Sequence, residues 1–151
     1  YAAMSAGESG HPVAKWTVAL VAGRATARSA AALLDKLIAE VPFRIEGIQV
    51  DGGSEFRAEF EDACRERNLC LFVLPPKRPQ LNGHVERAQG SWRYEFYGVE
   101  DLPSRLKPLQ LRIDAFAHRS NNTSPHQALG DLTPAEYLST ISQEIAPSHM
   151  A

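Results

Sequence analysis

Long apolar runs are missing from this chain, and nothing approaches the roughly 20 consecutive apolar residues that a membrane-spanning helix needs. Tyr1 to Gly10 lacks the basic start and apolar centre of a secretory signal. Cysteine is nearly absent. The two present, Cys64 and Cys70, have no partners at metal-site spacing and read as small hydrophobes rather than a disulfide. Excess charge of either sign is also lacking: a net −2 argues against a chain whose only task is coating nucleic acid. No internal repeat or low-complexity tract interrupts the sequence. These absences leave an ordinary globular domain, expected in the cytoplasm, of 151 residues with 44% hydrophobic and 23% charged composition.

What is present is an alternation of periods. Lys15 to Ala22 alternates bulky and small side chains and predicts a strand. From Thr26 to Val41 the pattern becomes helical, with Ala30, Leu33, Leu34, Leu37, Ile38 and Val41 on one face; Thr26 is the cap and Pro42 the stop. Ile45 to Val50 predicts the next strand. Phe56, Phe60, Ala63 and Cys64 mark a second helix, and the run Leu69 to Leu74 predicts a strand buried on both faces. Val85, Ala88, Gln89, Trp92 and Phe96 trace a third helical face that puts Trp92 and Phe96 in the core. Leu106, Leu109, Ile113, Phe116 and Ala117 trace a fourth. Asn121 to Gly130 reads as a loop, and Thr133-Pro134-Ala135-Glu136 opens a terminal helix. Strand and helix in turn predict an α/β fold with parallel strands. Residues 1–12 predict no firm element, residues 13–141 the domain, and residues 142–151 a tail.

Chemistry concentrates between Gln49 and Glu86. Val50-Asp51-Gly52-Gly53 ends an apolar run on a carboxylate followed by two glycines, which leave room for a backbone or phosphate to approach. After 34 intervening residues, Glu86 falls in the first turn of the third helix, off its apolar face, with Arg93 on its side. Acids from a strand end and a helix start can share a hard divalent cation. Each also has a purely structural use, Asp-Gly-Gly as a turn and a first-turn acid as a complement to the helix dipole. From Lys77 to Arg93 the bases Lys77, Arg78, Arg87 and Arg93 outnumber the single acid Glu86, so an anion is expected there.

Val50-Asp51-Gly52-Gly53-Ser54-Glu55-Phe56 and Pro79-Gln80-Leu81-Asn82-Gly83-His84-Val85-Glu86-Arg87 resemble the second and third acidic blocks of the retroviral-type integrase core. They are most similar to bacterial insertion-sequence transposases of the IS481 and IS3 type. Ser124-Pro125-His126-Gln127-Ala128-Leu129-Gly130 and Leu132-Thr133-Pro134-Ala135-Glu136-Tyr137 resemble those enzymes' carboxyl-terminal signature, and the likeness runs from about Pro12 to Leu138. The resemblance implies an RNase H-like three-layer α/β fold around a central mixed sheet. It implies metal-dependent phosphodiester hydrolysis and strand transfer in DNA integration or transposition.

Carried onto this chain, it makes Asp51 and Glu86 catalytic metal ligands for Mg²⁺ or Mn²⁺. Asn82 becomes a loop residue near the DNA end, and Arg93, Lys77 and Arg78 become contacts to the DNA backbone. DNA is the implied partner and a homo-oligomer the implied assembly. The resemblance also calls for a first Asp on a strand before Lys15, and no Asp precedes Asp35. That strand is therefore expected to be missing or truncated, and a cation held by two acids to be weakly bound. Ser124 stands where the signature has arginine. The other reading is an RNase H-like DNA-binding or assembly module that lost catalysis with its first acid.

Overall fold

The computed structural model describes residues 2–6, 14–50, 58–73, 92–98 and 102–145. Strand β1 (Ala2–Ala6) pairs antiparallel with β2 (Trp16–Leu20), Ala2 opposite Leu20 and Ala6 opposite Trp16. Strand β3 (Gly47–Val50) pairs in parallel with β4 (Cys70–Val73), Gly47 beside Cys70 and Val50 beside Val73. Between them lie α1 (Ala27–Glu40) and, after β3, α2 (Glu59–Glu66). A π-helical turn (Trp92–Tyr97), α3 (Leu106–Asn122), a 3₁₀ turn (Gln127–Leu129) and α4 (Pro134–Ile145) follow. Helix α4 thus runs past residue 141. No helix among the described residues is long and apolar enough to cross a membrane.

Successive residues of a strand face opposite ways, and β2 uses both sides. Val18 packs with Leu33, Leu34 and Leu37 of α1, Ile48 and Val50 of β3, and Phe60 and Cys64 of α2. Its neighbour Ala19 packs with Phe96, Ile113, Phe116 and Ala117. Two cores back to back on one strand make a three-layer α/β arrangement, as the resemblance implies.

Four expectations change. Residues 1–12 contain β1, so a strand does precede Trp16. Alanine is a poor strand former, and the strand rests on its backbone ladder to β2, a partner that local sequence cannot reveal. Strand β4 is not buried on both faces, since Phe72 is 60% and Val73 55% exposed. Helices α1 and α2 cover one side of the β3–β4 pair, and the apolar run of β4 exceeds what that cover buries. The loop expected from Asn121 is helical through Asn122. Ile38 and Leu106, placed on apolar faces by periodicity, sit at the exposed margins of their helices. Gly47 is closely approached: a Cβ there would meet Phe72 Cε2 at 3.0 Å and the Cys70 carbonyl at 3.2 Å.

The caps follow the sequence. Thr26 Oγ1 accepts from Ser29 N at 3.2 Å while Ser29 Oγ accepts from Thr26 N at 2.9 Å, and Val41 ends α1 in extended conformation before Pro42. At α4, Thr133 Oγ1 accepts from Glu136 N at 3.2 Å and Glu136 Oε2 accepts from Thr133 N at 2.8 Å. Pro108 lies in the first turn of α3, where its missing N–H costs no helical bond.

The edge of β2 turned away from β1 is closed by side chains. Asn121 Oδ1 accepts from Thr17 N and its Nδ2 donates to Thr17 O, both at 2.8 Å. Eleven residues earlier, three turns along the same face of α3, Gln110 Oε1 accepts from Val21 N at 2.7 Å. Gln110 Nε2 donates to Ala19 O at 3.2 Å. Two amides do here what a further strand would do.

Asn121→Ala leaves the Thr17 N–H and carbonyl buried without partners and is expected to cost about 3 kcal/mol in urea unfolding. Asn122→Ala, one residue on and exposed, is expected to cost under ~0.5 kcal/mol. Equal losses would refute the sealing role of Asn121. The Thr133 backbone and hydroxyl bonds hold the Glu136 carboxyl below its ordinary range. A depressed folded value means stability present above the unfolded pKa and lost as pH falls through the folded one. Between about pH 5.5 and about pH 3 the melting temperature of the wild type should therefore fall more steeply than that of Glu136→Gln. Parallel curves would remove Glu136 from the acid dependence.

Candidate functional site

The parallel pair β3–β4 brings two strand ends together. Val50 and Val73 are register partners at the carboxyl ends, and the next residues in sequence are Asp51 and Leu74. Burial of Ile48 and Val50 against α1 and α2, with Gln49 exposed between them, fixes this register, because a slip of one residue would put Gln49 into the core. Carboxyl ends of parallel strands are where open α/β sheets present their ligands.

The residues singled out by sequence lie just beyond these ends. Asp51, Lys77, Arg78, Asn82 and Glu86 are outside the described residues. Arg93 belongs to the π-helical turn, its side chain outside the described set. That turn is pinned by Phe96, which is fully buried, 5.2 Å from the Phe116 ring and edge-on to Tyr97 at 5.1 Å. Phe96 is thus in the core as expected, though its winding is π and not α; Trp92's side chain is outside the described set. Burial raises the Tyr97 hydroxyl above its ordinary pKa.

Among the described residues no group of three His, Cys, Asp or Glu could hold a metal ion. Several of their acids are engaged elsewhere: Asp35 with Arg67 at 2.7 Å, Glu61 and Asp62 with Arg65, Glu40 and Asp114 with Lys36. Burial of Lys36 opposes its charge, but hydrogen bonds to Asp114 and Glu40 outweigh this and hold its pKa above the ordinary value. Strand β1, Ala2 to Ala6, contributes no acid. As donors, Asp51 and Glu86 are hard oxygen ligands of the kind Mg²⁺ and Mn²⁺ take. Cys64 is buried, which raises its thiol pKa, and fits a small-hydrophobe role; Cys70 is exposed, and both are free.

The carboxyl-terminal signature forms a compact corner. His126 N donates to Leu132 O at 2.9 Å, and Gly130 turns the chain at φ +69°. Thr133 and Glu136 then start α4. Sequence reasoning missed the Gln110 and Asn121 contacts and the Lys36–Asp114 pair. The polar positions within the apolar pattern of α3 were a visible signal, but their partners are about 80 to 100 residues away.

Residues 69–134 match the family model described as Integrase core domain. By fold the chain is similar to a chain of the simian T-cell lymphotropic virus intasome, solved by cryo-EM with PP2A regulatory subunit B56 gamma. The TM-score is 0.70 and the identity 20%, covering 91% of this chain and 47% of that one. It is also similar to the catalytic core domain of BIV integrase, at TM-score 0.65 and 21% identity, covering 87% of this chain and 83% of that one. The chain therefore spans about half the length of the first relative. No curated protein matches it by sequence. The family match covers residues 69–134, less than half of the chain, and the fold is the RNase H-like one that these cores share.

Proposed function

We propose that this chain is the catalytic core of a bacterial insertion-sequence transposase of the integrase type, acting on DNA phosphodiester bonds in the cytoplasm and working as a homo-oligomer. The observation that carries the reading is the parallel β3–β4 pair, whose joined carboxyl ends lead directly into Asp51 and into the segment bearing Glu86. Asp51 and Glu86 would hold Mg²⁺ or Mn²⁺. A cation held by them would supply charge neutralisation at the phosphodiester and activation of an oxygen nucleophile, water for 3′-end hydrolysis and a 3′-hydroxyl for strand transfer. Arg93, on a turn anchored in the core, suits a bidentate phosphate contact. Lys77, Arg78 and Asn82 are the further DNA contacts of this reading.

A second reading, an assembly or DNA-binding module without catalysis, is favoured by one observation: β1 carries no acid to complete a triad. The two separate in a strand-transfer assay with Mn²⁺. Catalysis predicts product from the wild type and background levels from Asp51→Asn and Glu86→Gln, with DNA binding retained. Background levels from all three, with binding intact, would establish the module. Binding itself is expected to be weak and salt-sensitive. The slope of log affinity against log salt should fall by about one on Arg93→Ala. An unchanged slope would take Arg93 out of the interface.

A further inference from the structure

Phe96 of the π-helical turn and Phe116 of α3 form an aromatic pair in the second core, with ring centroids 5.2 Å apart. Both elements add an exposed group to the rim of this pair. Tyr97 meets Phe96 edge-on at 5.1 Å, and the Arg119 guanidinium lies over the Phe116 ring at 5.3 Å. Tyr97 keeps 40% of its surface in solvent, and Tyr94, on the same turn, keeps 74%. Among the described residues no other large hydrophobic side chain is as exposed as Tyr94. On α3 the charge beside these rings is positive. Arg105, Arg112 and Arg119 recur every seven residues, two turns or about 10.5 Å, and all three are exposed. Phe116 lies four residues after Arg112 and three before Arg119, so both arginines share its side of the helix. Asp114, the single acid of α3, is turned toward α1 and bonded to Lys36 and Gln110. Glu95 is the acid of the turn, outnumbered by these arginines and by Arg93.

Arginines that outnumber nearby acids bind phosphates or carboxylates, and exposed rings bind flat apolar partners. An acidic peptide meets the first demand and leaves both tyrosines in water. A duplex also meets the first, but its bases are stacked on one another and offer the rings no face. An unpaired strand meets both. We propose that a stretch of single-stranded DNA lies across this rim, its bases stacked on Tyr94 and Tyr97 and its phosphates held by Arg112 and Arg119. The buried Phe96 fixes the turn, so the rings are presented without a segment having to order on binding. This contact rests on the DNA reading for the nature of the strand. It belongs to the second core, whereas the end of β3 before Asp51 belongs to the first.

The test follows fluorescence anisotropy of three labelled probes: an oligothymidylate of about 12 nucleotides, a blunt duplex, and an abasic strand with the phosphates but no bases. Tyr94→Ala, on a side chain exposed enough to leave the fold intact, should weaken the oligothymidylate about tenfold. The duplex and the abasic strand should change by less than about twofold, since neither offers a free base. Tyr94→Trp should restore the oligothymidylate. Arg119→Gln should lower its slope of log affinity against log salt by about 0.7, the loss of one single-strand phosphate contact. An unchanged slope would remove Arg119 from the rim. An undiminished oligothymidylate in Tyr94→Ala, or an equal loss on the abasic strand, would overturn the stacking. Polyglutamate displacing the oligothymidylate at equal charge would overturn the choice of nucleic acid over an acidic peptide. A duplex that binds through Arg93, with an oligothymidylate indifferent to Tyr94, would sink the rim and leave the DNA reading standing. Failure of every DNA probe to bind would sink both.

Discussion

The clasp of α3 on the free edge of β2 holds this domain together. An unpaired strand edge either binds another strand or must be covered, because buried N–H and C=O groups without partners cost more than most side-chain contacts return. Gln110 and Asn121 meet Thr17 and Ala19 of β2 and Val21 just past its end, and their spacing of three helical turns keeps α3 aligned over the strand. With α3 aligned, Ile113, Phe116 and Ala117 fall on Ala19 and Phe96, and the second core closes. The Lys36 ammonium then ties α3 to α1 across the end of the sheet. Two hydrophobic cores are thereby joined through a polar seam that is almost wholly satisfied.

Val50 and Val73 finish the sheet together, and Asp51 follows at once. Phe96 fixes the turn bearing Arg93 in the second core, and β3 ends in the first core one residue before Asp51.

Much of this was legible in the residues. The helical stripe Ala30, Leu33, Leu34 and Leu37, its Thr26 cap and its Pro42 stop all hold. So does the Thr133–Glu136 capping box. The β1 strand was not legible, since Ala2 to Ala6 carries no strand propensity of its own and exists through its ladder to β2. The apolar run of β4 was read as doubly buried because hydrophobicity reports what a strand tolerates, not how many layers reach it. Of the candidate site only the frame is described: the β3 end before Asp51 and the turn that carries Arg93.

By itself the sequence determined most of the helices and strands, the α1 and α4 caps, the order of the acids and a resemblance carried by short blocks at fixed spacing. Those are local properties, written in periodicity and in motifs of a few residues. Only tertiary structure decided which strand edges are closed by amides and that β2 serves two cores. The reason is distance along the chain. Thr17 and Asn121 are 104 residues apart, and no local pattern encodes a bond that exists only once both cores have closed.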